Sequence, residues 1–278
     1  MGRAGKRGGG GHGDKTGNVA AAPPPLNPKI RLPPLVDPSV DGALAVTQLS
    51  IIIPFYNEDE NVEPLLREVL AACPGAEIIA VDDGSRDATL ARIKGVSGVT
   101  ALALPVNLGQ SAALYAGLSH ATGKVCVMLD GDGQNDPADI PALVAAMDGV
   151  DFACGYRRTR QDSFNRRVAS RFANNIRRFF LKDQVRDTGC SLKAMRRDHV
   201  GYLIPFNGLH RYIPALLLNA GLTLVEVPVN HRPRTRGVSK YTIGGRALRG
   251  LRDLFGVSWV MARQIRYPAG VLPGSGPR

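Results

Sequence analysis

The stretch VCVMLDGDGQNDPADIP, residues Val125 to Pro141, ends an apolar run abruptly in a cluster of oxygen-bearing side chains. Val125 to Leu129 reads as a buried strand, and Asp130, Asp132 and Gln134 follow it at alternating positions. Asp136-Pro137 then opens a helix. Alternate side chains of an extended segment point the same way. Two carboxylates and an amide oxygen therefore converge just beyond the carboxyl end of a strand, where open α/β sheets hold their ligands. Hard oxygen donors of this kind suit Mg²⁺ or Mn²⁺. The same residues also read as a solvated acidic turn that caps the next helix. An EF-hand does not fit, because Asn135 stands where that loop needs glycine and Pro141 where it needs the closing glutamate.

The preceding chain repeats one pattern. Leu49-Ser-Ile-Ile-Ile-Pro54 reads as a strand ended by Pro54 and followed by Phe55-Tyr56-Asn57-Glu58. Asn61 is placed to cap a helix running to about Ala72. A second strand, Glu77 to Val81, runs into Asp82-Asp83-Gly84-Ser85, and Asp87 is placed to cap a short helix. A third, Thr100 to Leu104, leads to Asn107-Leu108-Gly109-Gln110 and a helix to about His120. A fifth strand is expected at Phe152 to Cys154. Strands alternating with helices at this spacing predict an α/β fold, a mainly parallel sheet flanked by helices on both faces. Polar clusters at the strand ends then share one edge, which has the outline of a nucleotide site. Asp82 or Asp83 can accept from a base N–H and Glu58 from ribose hydroxyls. No G-x-G-x-x-G and no G-x-x-x-x-G-K-[ST] is present, which excludes a dehydrogenase and a P-loop ATPase. Without a glycine cradle, a metal on Asp130 and Asp132 is what neutralises a diphosphate.

At 278 residues and 44% hydrophobic content, the chain has enough apolar residues for a full core. Residues 1–47 carry a glycine tract and then a proline tract without periodicity, the composition of a disordered tail. Residues 48–243 are expected to form the catalytic domain, 244–268 an amphipathic helix and 269–278 a flexible end. Cys73, Cys126, Cys154 and Cys190 include no C-x-x-C pair, so neither a zinc site nor a disulfide framework is indicated, and a reducing compartment is expected. No apolar run approaches the roughly 18 residues of a membrane span. Met-Gly at the start does not make a myristoylation signal, since Lys6 occupies the Ser/Thr position. The net charge of +11 is polarised: residues 1–155 hold 11 basic and 18 acidic residues, net −7, and residues 156–278 hold 24 and 6, net +18. The acidic half fits a metal site, and the basic half fits phosphate-rich partners, either lipid headgroups or nucleic acid. The nucleic-acid reading lacks aromatic stacking motifs and any known module.

Seven segments, IIIPFYNEDENV, VDDGSRDAT, NLGQSAALYAG, LDGDGQNDPADIP, RRVASRFAN, RDTGCSLKAMRR and RTRGVSKY, resemble glycosyltransferase family 2 in content and order, from Leu49 to Tyr241. The resemblance narrows to its polyprenyl-phosphate branch, which includes the dolichol-phosphate mannose synthases. It implies the GT-A fold, a nucleotide-diphosphate sugar donor, a hexose of mannose or glucose type, a polyprenyl phosphate acceptor and a Mg²⁺ or Mn²⁺ cofactor. Pro54, Tyr56, Glu58 and Asp83 match nucleotide-holding positions. Asp130, Asp132 and Gln134 match the metal and diphosphate motif, with Asp132 central to catalysis. Asn107 and Gly109 match a loop shaping the floor of the donor site. Arg157, Arg166 and Ser170 match acceptor positions that grip the lipid phosphate; a basic surface helix is the other reading of Arg166. Arg234 and Lys240 match a loop that closes over the donor diphosphate, with Gly237 at its turn.

Asp187 stands where members acting on hydroxyl acceptors carry a Glu-Asp pair containing the base, and its role stays open. A hydroxyl needs a general base, whereas a phosphate oxygen is already anionic at neutral pH. The missing pair, the arginine excess and the absent Q-x-x-R-W motif favour a phosphate acceptor; transfer to a saccharide or protein hydroxyl is the alternative. Bacterial relatives often end in two transmembrane helices. This chain instead ends in GGRALRGLRDLFGVSWVMARQIRYP, with Leu248, Leu251, Leu254, Phe255 and Trp259 at helical spacing among arginines. That segment reads either as an interfacial helix on anionic lipid or as a terminal helix packed on the core. The resulting expectation is a peripheral enzyme on the cytoplasmic face of a membrane, with a separate membrane-protein partner as a further candidate.

Overall fold

Each apolar run between Leu49 and Met128 forms a strand, and each is followed by a helix. The structure, a computed structural model, describes residues 1, 30–31, 48–157, 176–181, 183, 185–233 and 243–264, with backbone alone at 30–31, 243–249 and 251. The first repeat units are β2 (Leu49–Phe55) and α1 (Asp59–Ala72), β3 (Glu77–Asp82) and α2 (Thr89–Lys94), β4 (Val99–Ala103) and α3 (Gln110–His120). β5 (Val125–Met128) leads through one 3₁₀ turn at Pro137–Asp139 into α4 (Ile140–Ala145). Asp136 caps that turn by accepting from the Ala138 N–H at 3.0 Å. The second half supplies β6 (Phe152–Arg157), a helical segment α5 (176–181), β7 (Lys193–Arg196), α6 (Ile213–Asn219), β8 (Leu224–Val229) and α7 (Ile243–Arg263).

These strands make one sheet in the order β1-β8-β6-β7-β5-β2-β3-β4, where β1 is Ile30–Arg31. Every pairing is parallel except those of β7 with β5 and β6. Both faces are covered. Ile51, Ile53 and Val127 pack with α1 and α4 on one side, while Ile52 and Met128 pack with α3, α6 and α7 on the other. Burial on both faces is why these strands read as continuous apolar runs rather than alternating ones.

Four local expectations are corrected. Pro54 does not end its strand: pairing with β3 continues to Phe55↔Asp82, while pairing with β5 stops at Ile52↔Met128. Beyond Ile52 the strand is laddered on one side only, and a residue without an N–H is tolerated there. Asn61 is not the cap of α1; Glu58 is, and Asn61 lies in the first turn with its Nδ2 donating to Glu58 Oε2 at 2.6 Å. Asp87 stands just outside the α2 cap, which is Ala88, yet its Oδ1 takes the Thr89 N–H at 3.0 Å. Within the stretch read as a disordered tail, Ile30 and Arg31 pair with Leu224 and Val225 and extend the sheet edge.

The C-terminal helix packs on the core. Leu254 and Val257 of α7 are buried on the α6 side of the sheet, and the Tyr212 hydroxyl donates to the Gly250 carbonyl at 3.1 Å. Phe255 and Trp259 stay exposed on the opposite side of the same helix. Among the described residues no helix is long and apolar enough to cross a membrane.

Candidate active site

The carboxyl ends of the parallel strands β2, β3 and β5 lie along one edge, so the three polar clusters that follow them meet. They enclose a cavity of about 900 Å³, within the usual size of small-molecule sites. Pro54, Tyr56, Glu58, Asp83, Asp130, Asp132 and Gln134, all singled out in the sequence, line it. Arg157 is not among the lining residues. Arg166, Ser170, Arg234, Gly237 and Lys240 lie outside the described residues.

Backbone geometry sets the first two clusters. Asn57 takes φ of 48°, a left-handed conformation that asparagine tolerates better than most residues. Its amide donates to Ser85 Oγ at 2.9 Å and its Oδ1 accepts from the Arg86 N–H at 2.7 Å. The Glu58 N–H donates to Thr89 Oγ1 at 2.9 Å. The loops after β2 and β3 are thus pinned to each other, with Tyr56 and Glu58 held at the cavity wall. Gly84 has φ of 65°, and a Cβ there would lie 2.4 Å from the Val106 carbonyl carbon. That close approach brings the Asn107–Gly109 loop onto Asp83. The Asp83 carboxylate accepts from the Leu108 N–H (2.8 Å), the Gly109 N–H (2.9 Å) and Asn107 Nδ2 (2.9 Å). Burial raises its pKa, with Asp82 adding to the rise, while the Leu108 and Gly109 amides oppose it. Asp83 therefore anchors the cavity floor.

The acidic turn is wedged against β2. A Cβ on Gly131 would sit 2.6 Å from both the Pro54 carbonyl oxygen and Phe55 Cδ1, so only glycine fits between Asp130 and Asp132. Asp130 Oδ1 accepts from Gln110 Nε2 at 2.5 Å, and Asp132 Oδ1 accepts from the Gln134 N–H at 3.1 Å. Burial and then the charge of Asp132 push the Asp130 pKa up to about 6, against Ser191, the Lys193 ammonium and Gln110. A buried carboxylate whose ionisation is further opposed by a neighbouring carboxylate marks a site short of positive charge. Among the described residues no group of three or more His, Cys, Asp or Glu side chains could hold a metal alone. A divalent cation would thus complete its shell with oxygens of a bound substrate, water and Gln134, which is how Mg²⁺ is usually held. The donor set fits such an ion.

Arg157, the last residue of β6, is paired with Asp187 through Nε–Oδ2 at 2.7 Å and Nη2–Oδ1 at 2.9 Å. Asp187 also accepts from the Gly189 N–H at 3.2 Å, and Gly189 lines the cavity. The pair therefore stands directly behind the wall.

Five cavity or rim groups were not assigned a role in the sequence. Gln110 and Ser191 flank Asp130. Lys193 is a buried cation in the middle of the sheet whose Nζ donates to the Cys190 carbonyl. Its signal was a lysine inside the apolar run SLKAM. His210 Nδ1 lies 2.8 Å from Ser111 Oγ, which in turn accepts from the Gly208 N–H at 3.0 Å. Burial, with Arg211 and Lys193, drives the His210 pKa down to about 3. The ring is neutral at pH 7 and shares one hydrogen bond with the Ser111 hydroxyl, whose direction follows the tautomer. His231 lies 3.5 Å from Gln134 Nε2, and the adjoining Arg232 N–H donates to the Gln134 carbonyl at 2.8 Å. Its pKa is lowered by burial and Arg157 and supported by Asp132 and Asp187, which places it between the acidic turn and the Arg157 pair.

A mainly parallel sheet flanked by helices, with an acidic turn at its carboxyl edge over a cavity of this size, defines a glycosyltransferase of the GT-A fold. The chain belongs to glycosyl transferase family 2, whose sequence model matches residues 50–203. It is 37% identical over 235 residues to dodecaprenyl-phosphate galacturonate synthase of Rhizobium johnstonii, covering 79% of this chain and 69% of that one. It is 37% identical over 208 residues to undecaprenyl-phosphate 4-deoxy-4-formamido-L-arabinose transferase of an Enterobacter species. That match covers 71% of this chain and spans 64% of the relative's length. In fold it resembles glucosyl-3-phosphoglycerate synthase from Mycobacterium tuberculosis, solved with UDP, with a TM-score of 0.61 at 18% identity over 89% of this chain and 91% of that one. The same enzyme with Mn²⁺ and UDP-glucose gives 0.61 at 20% identity, covering 84% and 87%.

Proposed function

We propose that this family 2 glycosyltransferase moves a sugar from a nucleotide-diphosphate donor to a polyprenyl phosphate, with inversion at the anomeric carbon. The observation that carries the acceptor assignment is the state of Asp187. At the position where hydroxyl-acting members carry their base, its carboxylate is locked onto the Arg157 guanidinium by two charge-assisted bonds. A carboxylate so held is a poor proton acceptor, and a phosphate nucleophile does not require one. Both curated relatives described above carry polyprenyl phosphates in their names, which supports the same reading.

In this mechanism Pro54, Tyr56, Glu58 and the Asp83-anchored floor hold the nucleoside. Asp130, Asp132 and Gln134 would hold Mg²⁺ or Mn²⁺, which when bound stabilises negative charge on the departing diphosphate. The fold neighbour solved with Mn²⁺ and UDP-glucose supports a divalent ion here. An oxygen of the lipid phosphate attacks the anomeric carbon as its bond to the donor diphosphate breaks, and the electron pair leaves with the nucleoside diphosphate. No proton need move and no covalent enzyme intermediate forms. The Arg157–Asp187 pair supplies an oriented cation on the acceptor side, joined by Arg166 and Ser170; Arg234 and Lys240 are assigned to cover the diphosphate. The enzyme works at the cytoplasmic membrane face as a peripheral protein, without nucleic acid.

Incubation with labelled UDP-, GDP- and dTDP-sugars, polyprenyl phosphate and Mn²⁺ tests the assignment. A lipid-linked sugar that vanishes with EDTA is the expected product. Transfer to a saccharide or protein hydroxyl alone would overturn it.

A further inference from the structure

α7 presents two different faces. Leu254, Val257 and Met261 pack toward the sheet, and the opposite face carries Arg252, Phe255, Trp259 and Arg263 at spacings of three and four residues. Phe255 is 51% exposed and Trp259 59%. α5 adds a third ring to this surface: Phe179 is 78% exposed and stands edge-on to Phe180, 5.4 Å between centroids. Phe180 in turn meets Phe255 at 4.8 Å, and Ser258 Oγ donates to the Phe180 carbonyl at 3.3 Å, tying α5 to α7. Three large aromatic side chains held in water by rigid elements are uncommon on a monomer and mark an interaction surface.

The charges beside them identify the occupant. Arg178, Arg252 and Arg263 are exposed, and the Arg263 guanidinium lies 4.7 Å from the Trp259 ring centroid. The one carboxylate of α7, Asp253, is turned the other way, toward Gly208. An apolar aromatic centre with guanidiniums around it and, among the described residues of α5 and α7, no carboxylate on the same face matches the boundary between acyl chains and anionic headgroups. Tryptophan settles there by its amphipathic ring, and arginine finds phosphate.

We propose that Phe179, Phe255 and Trp259 form a docking face for an anionic bilayer, with Arg178, Arg252 and Arg263 on the headgroup phosphates. The assignment rests on the lipid-acceptor reading and deepens it. It joins two elements, one of which begins six residues after Ser170 in the chain.

Flotation of the full chain with vesicles tests it, using phosphatidylglycerol mixed with phosphatidylcholine, and phosphatidylcholine alone. The wild type floats with the anionic vesicles. The F179S/F255S/W259S variant loses at least about tenfold in partitioning, and R252Q/R263Q loses the preference for phosphatidylglycerol. Both variants keep the wild-type rate of transfer to geranyl phosphate in vesicle-free buffer. Any of four results overturns the proposal: no flotation of the wild type, unchanged flotation of the triple variant, loss of the geranyl phosphate rate, or dissociation of an oligomer by the substitutions. If the wild type transfers sugar to no prenyl phosphate while flotation behaves as expected, the functional reading fails and the docking face stands.

Discussion

Replacing Asp187 with asparagine distinguishes an arginine anchor from a general base. The pair it breaks has two short bonds, 2.7 and 2.9 Å, with the Asp187 side chain 7% exposed and that of Arg157 20%. Hydrogen bonds to charged groups contribute about 1.5–3 kcal/mol each, and breaking a fully buried ion pair costs about 3–5 kcal/mol. The exposure of Arg157 lowers the second figure, and the asparagine oxygen retains one of the two bonds. A loss of about 2 kcal/mol of oriented binding is left, roughly thirtyfold in kcat/KM. The loss should appear chiefly as a higher KM for the lipid phosphate, because the proposed mechanism assigns the guanidinium to that phosphate before and during attack. The pH profile of kcat should not move. Steady-state kinetics over pH 6–9 with varied polyprenyl phosphate reads both quantities, and Arg157→Lys should reproduce the KM effect. A fall in kcat beyond about a thousandfold with unchanged lipid KM, together with loss of the acid limb of the profile, would make Asp187 the base and refute the phosphate-acceptor argument.

Gly131→Ala forces a methyl against the Pro54 carbonyl and the Phe55 ring, so the acidic turn must shift; thermal unfolding should show a loss of about 1–3 kcal/mol, and titration should show weaker Mn²⁺ binding. Lys193→Met removes the ammonium beside Asp130 while preserving length, and is expected to lower kcat about tenfold or more with the circular dichroism spectrum unchanged. His210 has a folded pKa of about 3, below its unfolded value, so the unfolded state binds the extra proton between those limits and stability is lost as pH falls below about 6.5. Urea unfolding of His210→Gln should therefore lose about 2 kcal/mol less than wild type between pH 7 and pH 4.5. An equal loss in both proteins would show that His210 is protonated in the folded state.

The donor half was legible because its chemistry and its periodicity coincide. β2, β3 and β5 are buried on both faces, so their apolar runs stop where the sheet stops, and the polar residues that follow are necessarily at its edge. Tyr56, Glu58, Asp83, Asp130 and Asp132 reach the cavity for that reason alone. The second half hid its strands. β7 is four residues long with a buried lysine at its start, and β8 carries Glu226 and Pro228. Neither reads as an apolar run, since each carries a buried charge: Glu226 is matched by distant Arg186, and Lys193 by the nearby Cys190 carbonyl and by distant Asp130. Sequence shows a charge but not the partner that makes its burial tolerable. For the same reason Arg157 read as a phosphate grip and Asp187 as open, although the two form one group.

The antiparallel strand β7 explains how the two oppositely charged halves of the chain make a single site. It lies between β5, in the acidic half, and β6, which straddles the boundary between the halves, with Met128↔Lys193 and Cys154↔Lys193 in register. A parallel strand in that position would enter from the amino-terminal edge and carry its leading loop away from the cavity. Running the other way, β7 is preceded by the loop from Asp187 to Leu192, which it delivers to the carboxyl edge. Thr188, Gly189, Ser191 and Lys193 thereby line the cavity opposite Asp130, while Asp187 on the same loop holds Arg157. The single reversal in an otherwise parallel sheet thus brings Lys193 to the cavity wall beside Asp130 and holds Arg157 behind it through Asp187. A substitution that unpairs β7 should damage donor and acceptor binding together rather than either one alone.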